Sequence, residues 1–239
     1  MSNYQKTETI RSFQETTSVK HHIVLLGDSI FDNREYVEPD PCVIDQLGNK
    51  LPSAWKATLR AIDGDKIGNV ESQLVALPAD STFLILSVGG NDALGYLNLF
   101  GEKVRDVGEA ILLLADVVQY FSEIYRGMLD NVLKKGLPIA LCTIYLPRFP
   151  EKELQRVAVT ALAVFNDVII QEAFKHGLPL LDLRLICHDD ADYANPIEPS
   201  AHGGDKITDY ILKIVHEWQA SERQTQVFCP VKQDDVEGQ

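Results

Sequence analysis

Serine, asparagine and histidine side chains that could take part in catalysis follow short apolar runs at several places in this 239-residue chain. Ser29 ends the tripeptide GDS directly after one such run, and Asn91 lies in the tetrapeptide GGND after another. A serine hydroxyl is a poor nucleophile until a base within hydrogen-bond reach takes its proton. Serine after a strand also commonly caps a turn, so Ser29 has two interpretations, a turn residue or the nucleophile of an acyl transfer.

The elements that must position these residues are predicted by a repeating pattern along the chain. Five short runs, most of them nearly continuous in apolar residues, are typical of strands covered on both faces of a parallel sheet. They lie at 22–28, 55–63, 82–90, 137–145 and 178–184. Apolar residues at three- and four-residue steps predict helices over about 110–133, 151–175 and 207–218. The alternation predicts an α/β fold, a flavodoxin-like three-layer sandwich around a doubly wound, five-stranded parallel sheet.

The domain organisation follows from where this pattern begins and ends. Residues 21–221 carry all the predicted strands and helices, and we expect them to form one domain. Segments 1–20 and 222–239 are polar and aperiodic, and we expect them to be flexible tails, the second of them acidic.

Composition and charge argue against several classes of partner. A net charge of −13 disfavours binding to nucleic acid and to anionic membrane surfaces. The most apolar helical stretch, near 111–118, is too short and too interrupted by charge to span a bilayer. The four cysteines show no CxxC spacing, so we expect neither a metal cage nor a disulfide framework. With no apolar signal segment near the start, the expected location is the cytoplasm.

Three short blocks converge on one edge of the predicted sheet. In open parallel sheets ligands bind beyond the carboxyl ends of the strands, where GDS follows the first strand, Gly64 the second and GGND the third. In this order the blocks resemble those of the SGNH branch of the GDSL hydrolase family, and the resemblance covers about residues 21–218. The family's fourth block, DxxH, is altered: His202 falls just before the last predicted helix, but Pro199 stands three residues before it, and the nearest acid is Glu198.

The resemblance implies a role for each of these residues. Ser29 would attack an acyl carbon, and His202 would take its proton. The orienting role of the missing aspartate would pass to Glu198, to another acid of the loop such as Asp192, or to a backbone carbonyl, and we choose Glu198 because it is the nearest acid. The oxyanion would be held by the backbone N–H groups of Ser29 and Gly64 and by the side-chain amide of Asn91. No cofactor and no metal is required.

The remaining polar residues near these blocks are expected to have other roles. His188 lies in an acidic stretch and is expected on a solvated loop, whereas the other four histidines lie away from the carboxyl edge. Asp28 and Asp92 are expected to accept backbone N–H groups within their loops. Apolar residues within 93–101 form a wall of an acyl pocket or simply close the core.

These inferences predict a serine hydrolase that cleaves carboxylic esters or thioesters through an acyl-serine intermediate. The substrate would be a small-molecule ester with a short or medium acyl group, acetylated sugars included. The altered DxxH block leaves open a pseudo-hydrolase that binds such a ligand without turning it over. A flavodoxin-like binding protein shares the layer order, but the chain lacks a phosphate-binding loop rich in Ser, Thr and Gly after the first strand.

Overall fold

The computed structural model describes residues 21–217 and 224–230, and a parallel β-sheet runs through the centre of this part of the chain. Six strands form the sheet in the order β2-β1-β3-β4-β5-β6, and each pairs with its neighbours in parallel. The strands are β1 (His22–Gly27), β2 (Lys56–Leu59), β3 (Phe83–Ser87), β4 (Ile139–Cys142), β5 (Leu180–Leu181) and β6 (Val227–Phe228). The doubly wound parallel α/β sandwich predicted from the sequence is therefore confirmed, but the predicted number of strands, five, is wrong.

The sixth strand lies inside the segment 222–239 that was predicted to be a flexible tail. Val227 and Phe228 pair with Leu180 and Leu181 of β5. The backbone N–H of Leu180 donates to the carbonyl of Gln226 at 2.8 Å, and the Phe228 side chain is buried in the core. The added strand thus covers the open edge of β5, and residues 224–230 belong to the domain. The rest of that segment, Trp218 and residues 1–20 lie outside the described residues.

Eight α-helices flank the sheet in the described part of the chain. They are α1 (Arg34–Val37), α2 (Val43–Lys50), α3 (Val70–Val75), α4 (Gly90–Leu94), α5 (Val107–Leu133), α6 (Lys152–His176), α7 (Leu183–Ile186) and α8 (Ala201–Glu217). The strand predicted over 178–184 is shorter than expected because the buried Asp182 side chain accepts the N–H of Arg184 and begins α7. The second predicted strand is also shorter, 56–59 rather than 55–63.

The two faces of the sheet build two separate hydrophobic cores. Along β1, Val24 and Leu26 face a cluster that includes α3, α5 and α6, whereas Ile23 and Leu25 face a cluster that includes α2 and α8. This alternation is the two-residue period of a strand, with both faces covered because the sheet is the middle of three layers. Burial of such side chains supplies the main stabilisation of the fold, about 1.5–3 kcal/mol each.

Helix α6 has the composition of a membrane span but the position of a core helix. By length and composition it could cross a bilayer, and half of its most apolar 18-residue window is buried inside the protein. Its buried residues include Leu162, Phe165 and Ile169, which pack in the core on the α5 side of the sheet. The helix is therefore accounted for by packing within this domain.

The end of β1 is fixed by a close approach to β3. Gly27 has φ of +127°, and a Cβ atom at this position would lie 1.7 Å from the carbonyl oxygen of Ser87. Glycine is therefore required here by both conformation and space. The buried Gln73 side chain accepts the N–H of Gly27 at 2.8 Å and donates to its carbonyl at 2.7 Å. The chain leaves the sheet from this point, and the next residues are Asp28 and Ser29.

Candidate active site

Ser29 lies in a tight turn at the carboxyl end of β1. The carbonyl of Asp28 accepts the N–H groups of Phe31 and Asp32 at 3.1 and 3.2 Å, which closes the turn around the serine. Ser29 is buried, with 6% of its surface exposed. Among the residues that the structure describes, none accepts the Ser29 N–H, so this donor is available to a ligand.

A pocket of about 900 Å³, a volume that includes its open mouth, begins at Ser29. Its polar lining includes Asp28, Ser29, Asn91 and Glu198, which lie together, and most of its other lining is apolar. A few polar groups beside an apolar wall are the usual composition of a small-molecule site.

The apolar wall predicted within 93–101 is present. Leu94, Tyr96, Leu97, Leu99 and Phe100 all line the pocket. Helices α5 and α6 supply further lining that the sequence did not single out, and these residues are Leu114, Ala158, Ala161, Leu162 and Phe165. The pocket therefore extends from the sheet edge into the layer of α5 and α6.

Asn91 connects the two loops that follow β2 and β3. Its side-chain Nδ2 donates to the backbone carbonyl of Asp65 at 2.9 Å, and Asn91 also lines the pocket. Gly64, in the loop after β2, has φ of +79° and is exposed. Its N–H has no acceptor among the described residues, but Gly64 is not part of the pocket lining.

The loop-stabilising roles predicted for Asp28 and Asp92 are confirmed. Asp28 Oδ1 accepts the N–H of Ile30 at 3.3 Å, and Asp92 Oδ2 accepts the N–H of Ile67 at 3.0 Å. The pKa of Asp28 is raised to about 8, mainly by burial and in smaller part by the carboxylates of Glu198 and Asp92, against the lowering effect of the hydrogen bond from Ile30. The floor of the pocket is therefore an acidic environment in which carboxyl groups resist ionisation.

Glu198 lies on a loop that is held in position by one of its own side chains and by two side chains from elsewhere in the fold. Asn195 Oδ1 accepts the N–H groups of both Ile197 and Glu198 at 3.0 Å. The hydroxyl of Tyr145 donates to the carbonyl of Ile197, and Asn33 Nδ2 donates to the carbonyl of Pro199 at 3.2 Å. These bonds fix the backbone on both sides of Glu198, which is 5% exposed.

The carboxyl group of Glu198 meets the hydroxyl group of Ser29. Burial raises the pKa of Glu198 to about 7, the side-chain hydrogen bond with Ser29 lowers it, and the charge of Asp63 raises it. Oε2 of Glu198 is buried and has no hydrogen-bond partner among the described residues. The structure thus brings together Ser29 and Glu198, two of the residues singled out from the sequence.

His202 lies outside the pocket that Ser29 and Glu198 line. It is the second residue of α8, its side chain is 59% exposed, and its Nε2 is 3.7 Å from Asp192 Oδ1. Lys206 Nζ lies 2.8 Å from the same oxygen. His202 is not among the residues that line the pocket. The first turn of α8 packs closely against the Asp192 backbone. A Cβ at Gly203 would lie only 2.2 Å from the Asp192 carbonyl oxygen, so glycine permits this approach.

Several site residues were not found from the sequence. Asn195, Tyr145 and Asn33 act through backbone contacts to the Glu198 loop, and only Asn195 carries a local signal, since an Asn-Pro dipeptide marks a turn. His188 is exposed, as expected, and its Nδ1 lies 3.0 Å from the carbonyl oxygen of Leu185.

Known proteins resemble this chain in sequence and in fold. The sequence matches the GDSL-like lipase/acylhydrolase family over residues 25–206. No curated protein matches it.

Solved structures with the same fold share little sequence with this chain. An extracellular lipase from Streptomyces rimosus is 15% identical with a TM-score of 0.57, and the match covers 83% of this chain and 100% of the lipase. A member of the lipolytic G-D-S-L family from Veillonella parvula is 13% identical with a TM-score of 0.61, covering 84% and 100%. An acetyl xylan esterase is 17% identical with a TM-score of 0.59, covering 81% and 99%. At these identities the structures show the common fold.

Proposed function

Because this chain belongs to the GDSL-like lipase/acylhydrolase family, we propose that it is a serine hydrolase of small-molecule carboxylic esters or thioesters, with Ser29 as its nucleophile. The observation that carries this proposal is the buried Ser29 hydroxyl, which lies against a carboxyl group at one end of a largely apolar pocket. A serine that merely capped its turn would need no such partner and no such cavity.

The reaction would pass through an acyl-serine. Ser29 Oγ attacks the acyl carbon while a base takes its proton, and the resulting tetrahedral oxyanion needs hydrogen-bond donors. The Ser29 N–H and the Asn91 amide border the pocket, and we assign the oxyanion to them, with the unpartnered Gly64 N–H as a third donor. Collapse of the intermediate releases the alcohol or thiol, and water then releases the acid in a second cycle of the same kind.

The pocket lining favours an aliphatic acyl group. Leucine, phenylalanine and alanine side chains from the 93–101 loop and from α5 and α6 cover the walls. An acyl chain buries apolar surface there, whereas the hydroxyl groups of a sugar ring would lose water without gaining hydrogen bonds. We therefore place the acyl chain, short or medium in length, along this wall and the leaving group at the open mouth.

The test compares wild type with Ser29→Ala in two assays, labelling by a fluorophosphonate and hydrolysis of p-nitrophenyl esters of rising acyl length. We expect wild type to be labelled at Ser29 and to hydrolyse the esters, and Ser29→Ala to do neither while its melting temperature stays nearly unchanged. Turnover retained in Ser29→Ala would remove Ser29 as nucleophile.

A second candidate function is a pseudo-hydrolase that binds an acyl ligand without cleaving it. The position of His202 outside the pocket favours it, because the altered DxxH block then supplies no imidazole to Ser29. Absence of labelling at high probe concentration, combined with saturable binding of a fatty acid to the pocket, would support this candidate over the hydrolase.

A further inference from the structure

We infer that Glu198, rather than a histidine, is the base that activates Ser29, so that the site works with a serine–glutamate pair. This inference rests on the proposed hydrolase function and specifies its proton acceptor. It replaces the roles that the resemblance implied for His202 and for Glu198 as an orienting acid.

The spacing of the fourth block supports this assignment. The DxxH block separates its two functional residues by three positions, and Asn195 and Glu198 have the same separation. If Glu198 rather than His202 is aligned with the histidine of DxxH, the spacing of the block is kept. Asparagine then stands in the place of the aspartate, and glutamate in the place of the histidine. Asn195 then positions its partner, since it holds the backbone N–H of Glu198 at 3.0 Å.

The geometry gives Glu198 the access to Ser29 that His202 lacks. Glu198 and Ser29 line the same pocket and their side chains share a hydrogen bond, whereas His202 lies against Asp192. The buried Oε2 of Glu198 has no partner in the described chain, so no other described donor occupies this oxygen of the carboxylate. A base must be within hydrogen-bond reach of the proton that it abstracts, and Glu198 meets this requirement.

The electrostatic surroundings suit a carboxylate for base chemistry near neutral pH. The titratable groups that interact with Glu198 are Asp28, Asp63, Tyr36 and Tyr145, and all of them are acids. Burial and the charge of Asp63 raise the pKa of Glu198, against the lowering effect of the hydrogen bond with Ser29, to about 7, which is close to that of an ordinary imidazole. The usual objection to a glutamate base, that it is too weak, therefore does not apply at this position.

The proton transfers balance in each half of the reaction. Ionised Glu198 takes the proton of Ser29 Oγ as the O–C bond to the acyl carbon forms. Protonated Glu198 then gives that proton to the leaving alkoxide or thiolate as its bond to the acyl carbon breaks. In the second half Glu198 takes a proton from water, hydroxide attacks the acyl carbon, and the proton returns to Ser29 Oγ as the acid leaves.

The test measures the rate at which a fluorophosphonate labels Ser29, as a function of pH, in wild type, Glu198→Gln and His202→Ala. Loss of a general base lowers the rate by roughly 10²–10⁴-fold. We expect that loss in Glu198→Gln, together with loss of the pH dependence near neutrality, and we expect His202→Ala to match wild type. Glu198→Asp should recover part of the rate, because it restores a carboxylate.

A measurement on wild type alone keeps the inference testable even if Glu198→Gln does not fold. Ionisation of a carboxyl group absorbs almost no heat, whereas ionisation of an imidazolium absorbs a substantial amount. The midpoint of the pH profile should therefore stay in place when the labelling is repeated at a higher temperature. A midpoint that moves to lower pH on warming would identify an imidazole and overturn the inference.

The outcomes separate this inference from the proposed function. Labelling of wild type that persists in Glu198→Gln, or that disappears in His202→Ala, would overturn the role of Glu198 and leave Ser29 as a nucleophile. No labelling of wild type at any pH would overturn both, because Glu198 would then not activate Ser29.

Discussion

The side-chain amide of Asn91 donates a 2.9 Å hydrogen bond to the backbone carbonyl of Asp65, and so ties the loop after β3 to the loop after β2. An asparagine amide has two hydrogens, and this bond uses one of them. The second has no acceptor among the described residues, and Asn91 borders the same cavity as Ser29. Asn91 therefore holds the loop that carries Gly64, and we propose that it also offers a donor to the oxyanion.

We expect Asn91→Ala to lower kcat far more than it raises KM, because an oxyanion donor acts chiefly in the transition state. The loss should be roughly a hundredfold or more. Steady-state kinetics on a p-nitrophenyl ester and a thermal melt measure the two effects. Asn49→Ala, at an exposed position of α2, is the control. If KM and melting temperature change as much as kcat, Asn91 is only a loop anchor.

Filling the acyl pocket should shorten the preferred acyl chain. Ala161 of α6 lines the pocket and is 7% exposed, so Ala161→Phe would occupy space that a longer chain needs. We expect kcat/KM to fall for the longer p-nitrophenyl esters and to stay close to wild type for the acetate. Val164→Phe, at an exposed site of the same helix, is the matched control. An equal loss for all chain lengths would show that the acyl group lies elsewhere.

The charge of Asp63 should set the pH at which the site becomes active. This charge raises the pKa of Glu198, so Asp63→Asn should lower that pKa. The base is active when ionised, and the rising limb of the pH–rate profile should therefore move to lower pH in Asp63→Asn. Glu71→Gln, an exposed change of the same charge on α3, should leave the profile in place. A shift of equal size in both variants would point to a general charge effect.

The buried carboxyl of Glu198 should make the fold less stable as pH rises. Its folded pKa of about 7 lies above the ordinary value of 4.5, so the folded state holds the proton more tightly than the unfolded state. The stabilisation is then complete below about pH 4.5 and is lost as the pH rises through about 7. Removal of the ionisable group in Glu198→Gln should raise stability at about pH 8 by up to about 3 kcal/mol, and change it little at about pH 4.

Thermal or denaturant unfolding at the two pH values measures this difference. A gain of that size corresponds to several degrees in melting temperature for a domain of this length, at roughly 2–4 °C per kcal/mol. Glu71→Gln should show no such dependence on pH. Equal stability of wild type and Glu198→Gln at both pH values would mean that the glutamate ionises freely in the folded protein.

The sequence predicted the strand exits well because their signals are local. An apolar run that stops at a glycine and a polar residue marks the carboxyl end of a buried strand, and Ser29 and Asn91 were found in this way. Strand β6 was missed because two residues, Val227 and Phe228, are too few to show a period. Its existence depends on the open edge of β5, which is a property of the assembled sheet.

If Glu198 is the base, as we infer, the fourth block was counted from the wrong residue, and for a different physical reason. Histidine is the expected residue type for a base, so the spacing was counted back from His202 and met Pro199. The support for Glu198 comes from tertiary contacts. The Asn195 turn holds the backbone of Glu198, which lines the pocket, while the close packing of Gly203 holds the start of α8 against Asp192. The Asn-Pro dipeptide at Asn195 marks a turn in the sequence, but it does not show which side chain the turn brings to the pocket.

The inner half of the pocket could not be separated from the core by pattern alone. Leu162 and Phe165 of α6 belong to the hydrophobic core and also line the cavity. A helical stripe of apolar residues is the same whether it faces a packed neighbour or a ligand. The distinction rests on how closely the opposing elements approach, and that is known only in three dimensions.

The close approach of Gly27 to Ser87 has a consequence for motion at the site. The N–H of Asp28, next to Ser29, donates to the Ser87 carbonyl at 3.2 Å, so the backbone beside the nucleophile belongs to the hydrogen-bonded centre of the sheet. Amide hydrogens in such a position exchange with solvent only when the whole domain opens. We therefore expect Ser29 to keep its position when ligand binds, and any adjustment to a bulky substrate to come from other parts of the pocket lining, such as the 93–101 loop.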